Sequence, residues 1–311
     1  MKKWIIGFLV AAVLGIGSIY VFIPSAIEIS AIKPVNTFSN TVGRFLSNKE
    51  KIAESMKGFA IKNDSTFKYK DLSLTINKFI YNGVEINIAQ DKALTKSTIM
   101  ALEDSSGSSL LYWTAEMKAG LNPVNRIREY FHAKKIKEMM TDVINQLTVF
   151  LNNSANIYGI SVKEINLTDS ILISTKVITS NEPTVNEIYV QIKKLEDYAT
   201  RQNAAATNSP MLNVQKMDEA HFQFMVGLPI NKLVEESADI RIKRMPYTGK
   251  MFVAEIKGGP AIIKNGLMQL GTYLTDSKRS SPAIPYELLI TNRALETDTT
   301  KWITKLYCPV I

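Results

Sequence analysis

The sequence has a single cysteine and two histidines among 311 residues. An intramolecular disulfide is therefore impossible, and a structural zinc site would need more Cys and His ligands than the chain offers. Cys308 lies in an apolar, strand-like run, where a cysteine usually packs as a small buried hydrophobic side chain. We predict that the chain binds no metal and no cofactor.

Proline and glycine are sparse, with 11 and 15 copies, and no low-complexity tract is present. The hydrophobic fraction of 46% and the charged fraction of 21% are typical of globular proteins and not of disordered chains. A chain of 311 residues is longer than one hydrophobic core usually supports. We therefore predict two folded domains.

The sequence also lacks a concentrated basic surface, although its net charge is +8. The densest basic group is interrupted by two glutamates and comprises Arg126, Arg128, Lys134, Lys135 and Lys137. We interpret this group as the solvated side of a helix, and we predict no nucleic-acid partner.

The one long hydrophobic run, residues 4–23, carries no charge. A helix of that length spans about 30 Å, the thickness of the hydrocarbon core of a bilayer. Because Lys2 and Lys3 precede the run, the positive-inside rule keeps the N-terminus in the cytoplasm. We predict a single-pass protein of the cytoplasmic (inner) membrane, with residues 1–25 as tip and anchor and an extracytoplasmic, periplasmic body. A cleaved signal peptide is the alternative.

Alternating apolar residues from Ala26 onward indicate a half-buried strand, and residues 35–57 suit one or two short helices. Asn82-Gly83 predicts a hairpin between two of the strand-like runs that follow, and Ser105-Ser106-Gly107 predicts another turn. The strand-like runs are 67–69, 72–81, 84–89, 97–103 and 110–118. Apolar residues at three- and four-residue spacings then predict a long helix over 125–152. The fold class is α+β.

The anchor, this strand order, the Trp113 strand and the Asn122-Pro123 junction with the long helix resemble the START-like (polyketide cyclase/SRPBCC) helix-grip superfamily. We assign residues 26–155 to such a domain. The resemblance implies a cavity between sheet and helix that holds apolar ligands. The alternative is a structural domain whose side chains fill this space.

The C-terminal half contains an internal repeat. Matched residues lie 75 positions apart, or 80 for the last pair: Leu195 and Leu270, Tyr198 and Tyr273, Pro210 and Pro285, Pro229 and Pro309. Each copy has a β-α-β-β pattern, with helices that begin near Pro183 and Pro260. We predict that the copies pair about a pseudo-twofold axis and enclose a ligand cleft between them.

Three C-terminal segments resemble the end of the GyrI-like domain, the effector-binding domain of AraC- and MerR-type regulators. They are Pro285-Tyr286-Glu287, the run from Asp298 to Thr304, and Tyr307-Cys308-Pro309-Val310. We assign residues 156–311 to this domain, although no helix-turn-helix is evident. The resemblance implies a central pocket that contains Glu287 and Tyr307.

The repeat independently matches Glu287 to Leu212, so one carboxylate would lie opposite one leucine. A buried carboxylate is costly unless it is protonated, paired, or neutralised by a bound cation. Alternation along the strand leaves open that Glu287 faces away from the cleft. Aromatic walls would hold a flat or cationic ligand, and the candidates are Tyr286, Trp302, Tyr307, Phe222 and Phe224.

We therefore predict a membrane-tethered protein that binds a small molecule in the C-terminal cleft and contacts the bilayer through residues 4–23. The sequence contains no metalloprotease motif, nucleophile elbow or Walker loop, so no catalytic residue is predicted. One alternative is a hydrolase-like enzyme that uses Glu287 with Tyr307 on a small hydrophobic substrate. The other is a structural or interaction protein with filled cavities. The sequence makes no prediction of oligomeric state.

Overall fold

The structure is a computed structural model, and the residues it describes are 2–56, 60–63, 65–90, 93–104, 108–166, 171–245 and 249–311. The chain divides into two compact units, Met1–Asn153 and Ser154–Ile311. Each unit combines helices with one curled antiparallel sheet.

Helix α1 (Lys2–Phe22) begins the first unit. Its stretch from Trp4 to Phe22 is long and apolar enough to cross a membrane, a test that a signal sequence also passes, and it is not buried within the structure. Its C-terminal end contacts the rest of the unit. The Tyr20 hydroxyl donates to the Leu121 carbonyl at 2.5 Å, and the Arg126 guanidinium lies 4.5 Å from the centre of the Tyr20 ring. These contacts hold the C-terminal end of α1 against the rest of the first unit.

The first unit continues with strands and helices in an order close to the predicted one. They are β1 (Ala26–Val35), α2 (Ser39–Leu46), α3 (Lys49–Ser55), β2 (Ala60–Asn63), β3 (Thr66–Tyr69), β4 (Leu72–Ile80), β5 (Gly83–Gln90), β6 (Ala93–Glu103), β7 (Ser109–Lys118) and α4 (Pro123–Leu151). The sheet order is β1-β7-β6-β5-β4-β3-β2, so the first strand of the sheet pairs with the last.

The predicted hairpin at Asn82-Gly83 is confirmed between β4 and β5. Asn82 has a φ of 52°, in the left-handed region that asparagine tolerates better than most residues. A Cβ on Gly83 would lie 2.4 Å from the Ile99 carbonyl oxygen, so only glycine fits there. The turn predicted at residues 105–107 lies outside the described residues.

The predicted long helix is confirmed as α4, although it begins two residues earlier and ends one residue earlier. The Asn122 side chain caps it by accepting from the backbone N–H of Val124 at 2.9 Å, and Pro123 occupies the first turn. The helix packs against β1 and β7, and it buries Ile136, Met139, Met140, Val143, Ile144 and Leu147. Trp113 on β7 is also fully buried. This interior makes the helix and the sheet one unit.

The second unit contains two further sets of strands and helices. They are α5 (Ser154–Tyr158), β8 (Val162–Asn166), β9 (Ile171–Thr179), α6 (Val185–Arg201), β10 (Met211–Lys216), β11 (Phe222–Pro229), β12 (Arg241–Arg244), β13 (Lys250–Lys257), α7 (Pro260–Asp276), β14 (Tyr286–Leu289), a short 3-10 helix (Thr299–Lys301) and β15 (Ile303–Val310). The sheet order is β12-β9-β11-β10-β14-β15-β13-β8.

This order confirms the internal repeat. We call β9-α6-β10-β11 the first copy and β13-α7-β14-β15 the second copy. Each copy contributes three adjacent strands, with its third strand between the first and the second, and the copies meet where β10 pairs with β14. The short strands β8 and β12 are exchanged between the copies. Strand β8 precedes the first copy in sequence but pairs with β13 of the second copy, and β12 precedes the second copy but pairs with β9 of the first copy.

The two copies start their helices differently. In the first copy the Thr184 hydroxyl accepts from the Glu187 N–H, and the Glu187 carboxylate accepts from the Thr184 N–H at 2.8 Å, which is a capping box. In the second copy Gly258, with a φ of +143°, turns the chain into a helix that begins at Pro260. The predicted helix start near Pro183 is thus shifted to Val185 by a polar cap.

Candidate functional site

The sheet of the second unit has a helix-covered face and an open face. Helices α6 and α7 pack on the first face, over two clusters of buried residues that include Leu212 and Phe224 in one copy and Leu306 and Trp302 in the other. A smaller apolar cluster lies on the open face and comprises Leu172, Met211, Met251, Tyr286 and Leu288. Because successive residues of a strand point to opposite faces, Tyr286 and Glu287 belong to different surfaces.

Glu287 lies on the helix-covered face. It pairs in register with Leu212 of β10, as the repeat predicts, and with Leu306 of β15. The residue is only 9% exposed. The carboxylate therefore lies among buried apolar neighbours and requires a partner.

That partner is Arg293, which follows β14 in the chain. Its Nη2 atom lies 2.6 Å from Glu287 Oε2 and also donates to the Thr304 hydroxyl at 2.8 Å. Its guanidinium lies 4.9 Å from the centre of the Trp302 ring, and its Nε has no hydrogen-bond partner among the described atoms. The structure thus supplies the Glu287 carboxylate with a cation from the protein itself.

The loop that carries Arg293 is held by Tyr189 of α6. The Tyr189 hydroxyl accepts from the Arg293 backbone N–H at 2.6 Å and donates to the Thr291 carbonyl at 3.4 Å. Burial raises the pKa of Tyr189, while the nearby Arg293 lowers it by a smaller amount. The hydroxyl therefore stays protonated and fixes the loop to the helix of the first copy.

The six predicted ligand-binding residues do not gather at one surface. Tyr286 and Tyr307 lie side by side on the open face, with parallel rings 5.1 Å apart. Trp302 and Phe224 are buried in the two cores beneath the helices, and the Trp302 indole donates to the Glu296 carbonyl at 2.8 Å. Phe222 is half-buried and is the first residue of β11, where it pairs with Lys216 of β10. The expectation of one cleft walled by all six is therefore corrected, because strand alternation divides them.

A cavity of about 310 Å³ opens on the open face, at the junction of the two copies. Its lining is mainly apolar and includes Leu172, Met211, Met225, Met245, Ile284 and Tyr286. The described residues that line it include no aspartate or glutamate. Its volume is at the lower end of the range for small-molecule sites.

Gly227 forms part of the wall of this cavity. Gly227 pairs with Met211 in the first copy as Tyr307 pairs with Tyr286 in the second, so the repeat makes Gly227 the equivalent of Tyr307. A Cβ at Gly227 would lie 2.9 Å from Leu172 Cδ1. The tyrosine pair therefore occupies the position in the second copy that remains open in the first.

A second cavity of about 640 Å³ lies beyond the end of β12, at the edge of β9. It shares Ser174, Met225 and Lys243 with the smaller cavity and is lined largely by polar side chains, among them Lys176, Lys194, Asp239 and Arg241. Among the described residues, no three His, Cys, Asp or Glu side chains cluster as they would around a metal ion.

Sequence reasoning missed Arg293, Gly227 and Lys243. A buried carboxylate needs a cationic partner, and Arg293 is the basic residue nearest to Glu287 in the sequence. The sequence therefore contained a signal for this pair. Aligning the copies by their 80-residue offset places Gly227 opposite Tyr307, which was a signal for an asymmetric pocket. Nothing in the sequence pattern places Lys243 at a cavity, because that depends on the pairing of β12 with β9.

No protein-family model and no curated protein matches the chain. Similar solved structures include the cryo-EM EcmrR–DNA complex, at 16% identity and a TM-score of 0.44, covering 61% of this chain and 72% of that chain. The EcmrR C-terminal domain is 15% identical with a TM-score of 0.39, covering 49% of this chain and 98% of that one. SAV2435 bound to tetraphenylphosphonium is 14% identical with a TM-score of 0.35, covering 49% and 94%.

Proposed function

We propose that this chain is a membrane-tethered protein that binds a small molecule in the 310 Å³ cavity of its C-terminal unit. The observation that carries the proposal is the cavity itself, which is mainly apolar, lies at the junction of the two copies and has Gly227 in its wall. Small-molecule sites are usually concave and mostly apolar, with a few polar groups at the mouth. This cavity has that composition.

The domain assignment is part of the proposal. The C-terminal segments that resemble the GyrI-like domain lie on β14, the 3-10 helix and β15, at or beside the junction of the copies. The first unit has a long helix packed on a curled antiparallel sheet, which supports a START-like helix-grip domain. Its interior between α4 and the sheet is lined with large buried apolar side chains.

The tether is α1. Its uncharged stretch matches the thickness of a bilayer, and it leaves the folded unit near Tyr20 and Leu121. We propose that the body of the protein lies outside the cytoplasm. A protease-protection assay on spheroplasts, from which any outer membrane has been removed, tests this placement, because a cytoplasmic body would resist external protease until the cytoplasmic membrane is opened.

The geometry gives Glu287 a structural role. Its partner Arg293 already neutralises it, and the carboxylate lies on the opposite face from Tyr307. A hydrolase that used both residues on one substrate would need them on the same face, so the structure offers no support for that alternative. A structural protein with filled cavities is the alternative that experiment must separate from ligand binding.

The separating experiment is a thermal-shift screen of the full chain in detergent, with small aromatic compounds that include tetraphenylphosphonium, the cation held by SAV2435. A ligand at about 100 times its Kd stabilises the folded protein by about 2.7 kcal/mol. We expect at least one compound to raise Tm in the natural protein and not in Gly227→Tyr, which fills the cavity. The control is Gly271→Ala, since a Cβ at Gly271 meets nothing within 4 Å. An equal shift in all three proteins would contradict the proposed site.

A further inference from the structure

Two lysines of the first copy stand on the open face beside the cavity. Lys243 pairs with Leu172 and Lys176 pairs with Met225, so both side chains project from the same face as the cavity lining. The Lys243 ammonium nitrogen lies 3.8 Å from Met225 Sδ, directly over the wall of the cavity. The mouth of an apolar pocket thus carries positive charge.

Within the described part of the chain, neither lysine has an acidic partner. The nearby carboxylates are engaged elsewhere, because Glu236 pairs with Arg241 at 3.2 Å and Asp239 pairs with Lys194 at 3.0 Å. Burial lowers the pKa of Lys243, and the like charge of Lys176 lowers it further. The two ammonium groups therefore repel one another without an internal anion to relieve them.

The carboxylate that would favour a cationic ligand is absent from this face. Glu287 is buried on the helix-covered side and is paired with Arg293. The described lining of the 310 Å³ cavity contains no acidic residue. The local charge at the pocket is therefore positive, which opposes a cation and favours an anion.

We infer that the pocket takes an anionic amphiphile: an apolar body in the 310 Å³ cavity and a carboxylate, sulfonate or phosphate group held by Lys243 and Lys176. This inference rests on the proposed function and specifies its ligand class. The apolar body packs over Gly227 and against Met211 and Tyr286, which fixes the anionic end toward β12.

The larger cavity provides room for the anionic end. It shares Ser174, Met225 and Lys243 with the apolar cavity, and Lys176 also lines it. Both lysines therefore line the space next to the apolar cavity.

The test compares three probes that share one ring system: 2-naphthoate, its neutral amide, and 2-naphthylmethylammonium. Binding to the full chain in nanodiscs of zwitterionic lipid is measured by calorimetry at low salt. Because one partly exposed ion pair contributes up to about 1 kcal/mol, which is about fivefold, two lysines should make the naphthoate up to about 25-fold tighter than the amide. The ammonium probe should bind more weakly than the amide.

Lysine variants show which residues cause the difference in affinity between naphthoate and its amide. Lys243→Met should reduce naphthoate affinity by about fivefold, and Lys176→Met/Lys243→Met should make naphthoate and amide equal. Amide binding should stay the same in both. The control is Lys257→Met, an exposed lysine at the end of β13 in the other copy, which should change nothing.

Two outcomes would overturn the inference in different ways. If the amide or the ammonium probe binds as tightly as naphthoate and Gly227→Tyr abolishes that binding, the pocket is real and the ligand class is wrong. If none of the probes binds the natural protein, the inference falls, and the proposed function falls with it when the thermal-shift screen also finds no compound whose effect Gly227→Tyr removes.

Discussion

The two copies of the C-terminal repeat share their strand order and differ at the positions that face the cavity and the core. On the open face the first copy has Gly227 where the second has Tyr307, so one side is hollow and the other is filled by a stacked tyrosine pair. On the helix-covered face the first copy has Leu212 where the second has Glu287. The two copies therefore share one strand order, and they differ in a few side chains that leave a cavity in one copy and place a buried ion pair in the other.

The largest expected loss of stability comes from breaking the buried Glu287–Arg293 ion pair of the second copy. Arg293→Met leaves Glu287 buried without its cation, and we expect the free energy of unfolding to fall by about 3–5 kcal/mol in urea titrations. Glu287→Leu/Arg293→Met, which gives the second copy the leucine of the first, should recover most of the loss. The control is Arg241→Met, which removes an exposed ion pair and should cost at most about 1 kcal/mol. Equal losses in both single variants would show that the buried pair has no special role.

A smaller loss of stability is expected when the Tyr307 ring is removed from the second copy. Tyr307→Ala removes a half-buried ring stacked on Tyr286, and we expect it to cost about 2 kcal/mol. Tyr307→Phe keeps the ring and should retain nearly all of the stability. Denaturation of the two variants side by side measures the stack, and a large loss in the phenylalanine variant would instead assign the stability to the hydroxyl.

The helix starts provide a third contrast between the copies. Thr184→Ala removes the side-chain cap of α6 and should cost about 1 kcal/mol, whereas Thr184→Ser should keep the cap. No side-chain cap is present at Gly259, where α7 begins, so this sensitivity belongs to the first copy. Thermal unfolding of the two variants checks it, and identical melting curves for both would contradict a stabilising cap.

The smallest expected effect is a change in the affinity for an anion as the pH rises. An anion binds best when Lys243 is protonated, so binding should weaken as pH rises through the Lys243 pKa, which lies below its ordinary value. The other charged groups that line the two cavities are Lys176, Lys194, Arg241, Arg244 and Asp239. The carboxylates of Asp239 and Glu236 are already paired with Lys194 and Arg241. Naphthoate titrations from pH 7 upward should lose affinity before an ordinary lysine would deprotonate. Lys243→Met should remove that pH dependence, and its persistence in the variant would contradict the assignment.

Much of the fold follows from local sequence pattern. The strands of the first unit have regular alternation and clear turn residues such as Asn82-Gly83, and α4 has a long apolar stripe with an Asn-Pro start. The repeat was visible because its leucine, tyrosine and proline positions recur at a constant offset. Local signals of this kind do not depend on the rest of the chain.

The site was less predictable because it depends on faces and long-range pairing. Alternation shows that Tyr286 and Glu287 point apart, but it does not show which face the helices cover. The exchange of β8 and β12 has no local signal, and it places Lys243 at the cavity. Resemblance pointed to Glu287 as a ligand contact, and the structure pairs it with Arg293 instead.

The most direct test of the central claim is a crystal structure of the protein grown with 2-naphthoate. We predict the naphthyl group over Gly227, between Met211 and Tyr286, with its carboxylate toward Lys243. A naphthoate bound beside Glu287 and Arg293, or between α4 and the sheet of the first unit, would contradict the account and move the working site to another part of the molecule.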